Sequence, residues 1–210
     1  DGNATITIIH LKDPVYNIKV NMYYRAYNDV DMIEAWTDVK NDEHGAVTLT
    51  EFKSAMLPIR RGDVWISHLY GSWANESQVS EEPLVPGEMV ISNKDGARNS
   101  HTSHGEVMFS LDGKARENEG NVIGAAICYS GNYELKTVTD DTDYHYFFAG
   151  INPDNSEYHL AKGETFTTPA LALTFSKEGL SGASRNFHKW GREYKLMHGN
   201  KVRDILLNSW

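Results

Sequence analysis

The fold class is indicated by two runs, Tyr16-Asn-Ile-Lys-Val-Asn-Met-Tyr-Tyr24 and, after a turn, Met32-Ile-Glu-Ala-Trp-Thr-Asp-Val39. Both runs alternate between apolar and polar residues, which is the period of a β-strand with one face on a core. Similar runs recur as far as residue 175, at residues 5–9, 47–57, 89–92, 106–111, 122–129, 134–139, 144–149 and 170–175. About ten strands are too many for a seven-stranded sandwich, so the pattern predicts an all-β fold of two large antiparallel sheets.

The periodicity changes from that of a strand to that of a helix only after Ser176. Apolar residues then recur at spacings of three and four, at Leu180, Ala183, Phe187, Trp190, Tyr194 and Met197. This stripe predicts one helix over residues 179–198, with Ser181 as its N-cap and Gly199-Asn200 as its C-terminal stop.

Composition narrows the classes of partner. The 210 residues are 40% hydrophobic, which is enough for a sizeable core, and carry a net charge of −9. Lys and Arg are scattered rather than clustered, so the sequence indicates no nucleic-acid partner and favours a neutral ligand. No run of about 18 apolar residues occurs, so no membrane partner is predicted. The single cysteine, Cys128, lies in an apolar run and is predicted to be a small buried residue.

Aromatic and polar residues are densest at Trp65-Ile-Ser-His-Leu-Tyr-Gly-Ser-Trp-Ala-Asn-Glu76. Trp73 stands among small residues in a predicted loop, where an aromatic ring can bury the C–H face of a sugar while polar neighbours bind its hydroxyls. The alternative is a buried anchor of the sandwich. Trp36 and Trp65 lie within apolar strands and are predicted to belong to the core.

The segment His101-Thr-Ser-His104-Gly-Glu106 could supply metal ligands. In a strand or loop, however, residues three apart do not point to one side, so a satisfied polar loop is the favoured interpretation. The chain has no G-x-S-x-G and no H-E-x-x-H motif. We therefore predict no metal, no cofactor and no catalytic residue within these 210 residues.

A succession of short motifs resembles the bacterial glycoside hydrolase family 36 α-galactosidases. In chain order the motifs are Trp65-Ile-x-His-Leu-x-Gly-x-Trp73-x-x-Glu76, Ile91-Ser-Asn with Gly96 and Ser100-His101, Tyr129-Ser-Gly-Asn132, Gly150-Ile-Asn-Pro153, Gly163-Glu-x-Phe-x-Thr-Pro169, Phe187-His188 and Leu206-Leu-Asn-x-Trp210. Their order and spacing match the family over most of the chain. One segment departs from it: Thr102-Ser-His-Gly105 stands where the family usually has Gln-x-Asn-Pro.

The resemblance implies a domain layout and an activity. Residues 1–178 are expected to form a galactose-mutarotase-like β-supersandwich whose N-terminal part is missing, residues 179–200 a linker helix, and residues 201–210 the first strand of a (β/α)8 catalytic barrel. Family members hydrolyse terminal α-galactosides such as melibiose and raffinose with retention, which needs two carboxylates. Those two aspartates lie on barrel strands beyond residue 210, so this part of the protein is expected to be inactive alone.

The resemblance also implies two sugar contacts, Trp73 and Trp210, in a pocket shared with a neighbouring subunit of a homo-oligomer. The expected partners are therefore an α-galactoside, the barrel of the same polypeptide and further copies of the chain. Two other interpretations stay open: a stand-alone carbohydrate-binding module, and a mutarotase that uses His101 and Glu106 on the sugar ring.

Overall fold

The computed structural model describes residues 3–202, and within them the chain is almost entirely β-structure. Fifteen strands occur in that range, followed by one α-helix and a π-helical segment. The strands are β1 Ala4–Lys12, β2 Ile18–Tyr27, β3 Met32–Asn41, β4 Val47–Leu49, β5 Phe52–Ile59, β6 Trp65–Ser72, β7 Asn75–Pro83, β8 Gly87–Ser92, β9 Ser103–Ser110, β10 Val122–Ile127, β11 Tyr133–Thr139, β12 His145–Ile151, β13 Tyr158–Leu160, β14 Thr165–Thr167 and β15 Leu171–Ser176; the helix is α1 Gly179–Trp190 and the π-helical segment is Gly191–Lys195.

Two antiparallel sheets dominate the described residues, which confirms the predicted all-β sandwich. The main sheet has nine strands in the order β1-β2-β3-β15-β10-β9-β6-β7, with β14 paired to β3. The second sheet has four strands in the order β5-β12-β11-β8, and β13 and β4 form a separate two-stranded ribbon. The two main sheets differ in width, so the second sheet covers only part of the first.

The core lies between the central strands of the two sheets. Along β11 every second residue is buried, from Tyr133 through Leu135 and Thr137, which is the alternation of a strand with one face on a core. Phe109 of the main sheet meets Phe147 of the second sheet with their ring centroids 5.0 Å apart, in an edge-to-face arrangement that aromatic pairs prefer. Burial of these large side chains is the main force that holds the sheets together.

One predicted strand is divided in the structure, and the edge strand β7 was not predicted. Residues 47–57 were predicted as one strand, but Thr50 and Glu51 interrupt it, so that β4 pairs with β13 and β5 with β12. The strand β7, Asn-Glu-Ser-Gln-Val-Ser-Glu-Glu-Pro, was not predicted, because it lies at the edge of the main sheet and has too few apolar residues to show alternation.

The helix begins as predicted but ends earlier. The residue before its first turn is Glu178, not Ser181, and no side chain caps it, so the predicted N-cap was wrong. After Trp190 the chain continues as the π-helical segment, in which the N–H of Leu196 donates to the carbonyl of Gly191 over 2.8 Å. Residues 197–200 then form a turn, and the helical region has already ended at Lys195, so the predicted stop at Gly199-Asn200 was placed too late.

The helix packs on the outer face of the main sheet through small residues. Ala183 is fully buried, and a Cβ atom on Gly182 would lie 2.1 Å from the Ser176 Oγ, so only glycine allows this approach. Trp190 packs against Val30 and Met32. No helix in residues 3–202 has the length and apolarity needed to cross a membrane.

Candidate functional site

Trp73 occupies the tip of the hairpin formed by β6 and β7. Ser72 pairs with Asn75, which leaves Trp73 and Ala74 as a two-residue turn. The Trp73 side chain is 78% exposed. The structure thus places Trp73 in a loop, as the sequence predicts, and excludes the alternative that it is a buried anchor of the sandwich.

The hairpin tip has a defined backbone conformation. Ala74 and Ser77 both have positive φ, at 62° and 60°, which is unusual for residues other than glycine. The register shifts between Tyr70 and Ser72, because β7 carries a bulge opposite Gly71. The carboxylate of Glu76 accepts a hydrogen bond from the backbone N–H of Ala74 over 3.0 Å and so closes the turn.

The loop of residues 93–102 lies beside this tip. The backbone N–H of Gly71 donates to the carbonyl of Thr102 over 3.1 Å, which ties the two segments together. The His101 Nε2 is 4.0 Å from the Glu76 Oε1. Trp73 and Glu76 are exposed and His101 is half-buried, and we call these three residues the tip cluster.

Buried polar groups hold the loop of residues 93–102 from below. Asn93 is 2% exposed, and its Nδ2 donates to the carbonyls of Gly96 and Gly131 over 2.9 and 3.2 Å. The Tyr133 hydroxyl lies 2.9 Å from the Ser103 Oγ and donates to the Asn99 carbonyl over 3.2 Å. Burial raises the pKa of the Tyr133 hydroxyl, which stays protonated and able to donate.

The two histidines of residues 101–106 do not converge on one point. His101 approaches Glu76, whereas the His104 Nδ1 lies 3.5 Å from the Glu106 Oε1. Among the described residues, no group of three His, Cys, Asp or Glu side chains has the geometry to hold a metal ion. His101 and Glu106, which the mutarotase interpretation pairs, thus have different partners.

The other predicted positions have mixed outcomes. Trp36 and Trp65 are half-buried rather than core residues: Trp36 stacks on Tyr23 with centroids 4.9 Å apart, and the Trp65 Nε1 donates to Asp63 over 3.0 Å. Cys128 is exposed, which corrects the prediction of a buried residue, because β10 ends at Ile127. Trp210 lies outside the described residues.

Sequence reasoning missed two contributors to the site. Glu76 was identified only as part of the family motif, without a role of its own. Tyr70, two residues before Ser72 on β6, is 47% exposed beside the tip.

Two clefts lie away from the tip cluster. A cleft of about 780 Å³ opens beside β3 and β15, and Ile33, Phe175, Arg185 and Asn186 are among its lining residues. A second cleft of about 490 Å³ lies between α1 and the outer face of the main sheet. Trp73 lines neither of them.

A comparison with protein families matches residues 1–161 to the glycosyl hydrolase family 36 N-terminal domain. The alpha-galactosidase AgaA of Geobacillus stearothermophilus is 31% identical over 212 residues, which cover 98% of this chain and 28% of AgaA. The bifunctional alpha-galactosidase/sucrose kinase AgaSK of Mediterraneibacter gnavus is 29% identical over 98% of this chain and 22% of its own length. The chain thus spans about a quarter of the length of these relatives.

Solved structures agree with these matches. The galactosidase domain of AgaSK superposes with a TM-score of 0.93 at 28% identity, over 100% of this chain and 29% of that one. AgaA from Geobacillus stearothermophilus in complex with stachyose gives a TM-score of 0.87 at 27% identity, over 91% of this chain and 26% of that one. The family match covers most of the chain, and both superpositions agree with it in fold. The chain belongs to the glycosyl hydrolase family 36 N-terminal domain family.

Proposed function

We propose that the protein containing this domain is an α-galactosidase, and that the domain supports a catalytic domain elsewhere in the polypeptide. The proposal is supported by the family match over residues 1–161 and by the names of the relatives, which are alpha-galactosidases. These relatives are roughly four times as long as the matched region, since it covers 28% of their length. The length that remains is ample for a catalytic domain.

The proposed layout follows the sequence. Residues 1–178 form the supersandwich, residues 179–200 link it to the next domain, and residues 201–210 begin a (β/α)8 barrel. The observed change from strand to helix between Ser176 and Gly179 supports the first boundary. The second boundary rests on the sequence resemblance, because the structure describes residues only as far as 202.

The proposed reaction is hydrolysis of terminal α-galactosides of the melibiose and raffinose type with retention. Such a reaction uses one carboxylate as nucleophile and a second as acid and base, about 5 Å apart. We propose that both are aspartates of the barrel and that this domain contributes none. A neutral sugar fits the net charge of −9, and AgaA has been solved in complexes with raffinose and stachyose.

For this domain we propose a contribution to the substrate pocket and to oligomer assembly. Trp73 is the proposed sugar contact from the sandwich, reaching a pocket of a neighbouring subunit, and Trp210 is the proposed contact from the barrel side. The observation that carries the role of Trp73 is its exposure of 78% on a hairpin tip of defined conformation. A large aromatic side chain in that setting suits contact with another surface or a sugar face.

The test compares Trp73→Ala with wild type in the full-length protein, with raffinose and an aryl α-galactoside as substrates. Loss of an aromatic platform worth about 1 kcal/mol should raise KM for raffinose about fivefold and leave kcat within about twofold. Trp73→Phe keeps a ring and should stay close to wild type. Val79→Ala is the control, because Val79 is an exposed apolar residue of the same hairpin.

An unchanged KM for raffinose in Trp73→Ala would remove Trp73 from the substrate site. It would leave the family membership of the chain as it is. Absence of α-galactosidase activity in the full-length wild type would overturn the proposed function itself.

A further inference from the structure

The tip of the β6–β7 hairpin contains one side chain that closes the turn from within. The Glu76 Oε1 accepts the N–H of Ala74, the residue that follows Trp73. Ala74 has a φ of 62°, a conformation that costs a non-glycine residue free energy and therefore needs a compensating interaction. The Glu76 carboxylate supplies that interaction, because a charged acceptor forms a stronger hydrogen bond than a neutral one.

The Glu76 carboxylate also faces a side chain of the neighbouring loop. Its Oε1 also lies 4.0 Å from the His101 Nε2 of the neighbouring loop. Both side chains are partly exposed, with 40% and 44% of their surface in solvent, so this pair contributes little to the free energy of unfolding. Glu76 therefore acts on local geometry at the tip rather than on the stability of the fold.

Backbone and side-chain hydrogen bonds fix the base of the hairpin tip. Gly71 donates its N–H to the Thr102 carbonyl, and the loop that contains Thr102 is held by the buried Asn93 and by Tyr133. The hairpin is thus fixed up to Gly71. Beyond that point, the hydrogen bond from Ala74 to Glu76 is what sets the direction of Trp73.

We propose that Glu76 is a positioning residue that holds Trp73 in the orientation in which it meets a galactoside. The inference rests on the proposed role of Trp73 as a sugar contact. Glu76 touches no substrate in this scheme. It acts through the backbone of the two-residue turn, so its effect appears in substrate binding and not in the chemical step.

The experiment uses the full-length protein with four variants: Glu76→Ala, Glu76→Gln, Trp73→Ala and Glu51→Ala. Glu51→Ala is the matched control, since Glu51 is an exposed glutamate between β4 and β5. KM and kcat for raffinose are measured, together with hydrogen exchange of the Ala74 amide. Glu76→Ala should raise KM about fivefold with kcat unchanged and should speed exchange of that amide about tenfold.

Glu76→Gln keeps an amide oxygen that can accept the Ala74 N–H, so KM and amide exchange should both stay within about twofold of wild type. Wild-type KM in Glu76→Ala, with a raised KM in Trp73→Ala, would overturn the positioning role and leave the role of Trp73 intact. Unchanged amide exchange in Glu76→Ala would overturn it as well. A wild-type KM in Trp73→Ala would instead contradict the role of Trp73, and with it the inference about Glu76.

Discussion

Gly71 has no Cβ atom, and the conformation of the β6–β7 hairpin tip depends on that absence. A Cβ atom at this position would lie 2.7 Å from both the Asn75 carbonyl oxygen and the Glu76 Cα. Both atoms belong to the backbone and cannot rotate away. The bulge at the base of the hairpin tip therefore requires glycine at the residue opposite to it.

Gly71→Ala should destabilise the domain by about 2 kcal/mol, because the strands must separate or the bulge must shift to admit the methyl group. The measurement is urea unfolding of the 1–210 polypeptide, after circular dichroism has established that it forms β-sheet. Gly45→Ala is the control, since a Cβ atom there would meet nothing within 4 Å. Equal midpoints for the two variants would contradict the close approach at Gly71.

The position of Trp73 could be predicted from sequence, whereas its support could not. The small residues around Trp73 predict a loop, and it is the exposure of the side chain in the structure that excludes a buried anchor there. The role of Glu76 depends on the left-handed conformation of Ala74, and nothing in an alanine side chain signals a positive φ. Cys128 was assigned to the core for a similar reason, since an apolar run does not show at which residue a strand ends.

One buried carboxylate holds the π-helical segment against the main sheet. Glu34 of β3 is 1% exposed and accepts hydrogen bonds from Lys195 and from the Tyr27 hydroxyl, the latter over 2.6 Å. Burial raises the pKa of Glu34, but the hydrogen bonds and the charges of Lys195 and Arg25 outweigh it and hold that pKa below its ordinary value. Glu34 therefore stays ionised and fixes the end of the helical region on the sheet.

Glu34→Gln should lower the free energy of unfolding by about 2 kcal/mol at pH 7, because the Lys195 and Arg25 charges lose a buried partner. Since the pKa of Glu34 is lower in the folded than in the unfolded state, its contribution is present above the unfolded pKa. That contribution disappears as the pH falls through the folded pKa. Urea unfolding at pH 7 and at progressively lower pH should show the difference narrowing, with Glu51→Gln as the control. A difference that does not change with pH would show that ionisation of Glu34 is not its source.

The elements that the sequence predicts best are those with one face on a core. β11 alternates strictly and β12 does so as far as Ala149, and both were predicted to within two residues at each end, because burial between two sheets selects apolar side chains at every second position. β7 is an edge strand with mostly exposed side chains, so its sequence does not alternate between apolar and polar residues. The π-helical segment could not be predicted either, since its side chains continue the helical spacing of α1 while its backbone hydrogen bonds span one residue more.

Within the described residues, the two sheets differ in width, and part of the main sheet is left uncovered. The strand β1 shows this most clearly, since Ile6, Ile8, Ile9 and Leu11 each have more than 40% of their surface exposed. The sequence predicts two stacked sheets, because alternation reports which residues face a core. It cannot predict how many strands each sheet has, because strand pairing is set by contacts between distant segments.

The resolved pKa shifts of the carboxyl groups agree with a supporting role for the domain. A retaining glycosidase needs a carboxylic acid whose pKa is raised, so that it can protonate the leaving group. Among the described residues, every carboxyl group with a resolved shift has a lowered pKa: Asp13, Glu34, Asp42, Asp140 and Glu164. Hydrogen-bond donors or positive charges cause each of these shifts, which favours the ionised form that cannot act as an acid.

The purified 1–210 polypeptide should show no turnover of an aryl α-galactoside above the buffer rate, while the full-length protein hydrolyses it, because we propose that both catalytic carboxylates belong to the barrel. Circular dichroism must first establish that the 1–210 polypeptide is folded, so that a missing activity is not a consequence of unfolding. Polarimetry with α-galactose, performed on the same sample, tests the mutarotase interpretation that pairs His101 with Glu106. Turnover by the 1–210 polypeptide at the full-length rate would place the two catalytic carboxylates within this domain and contradict its supporting role.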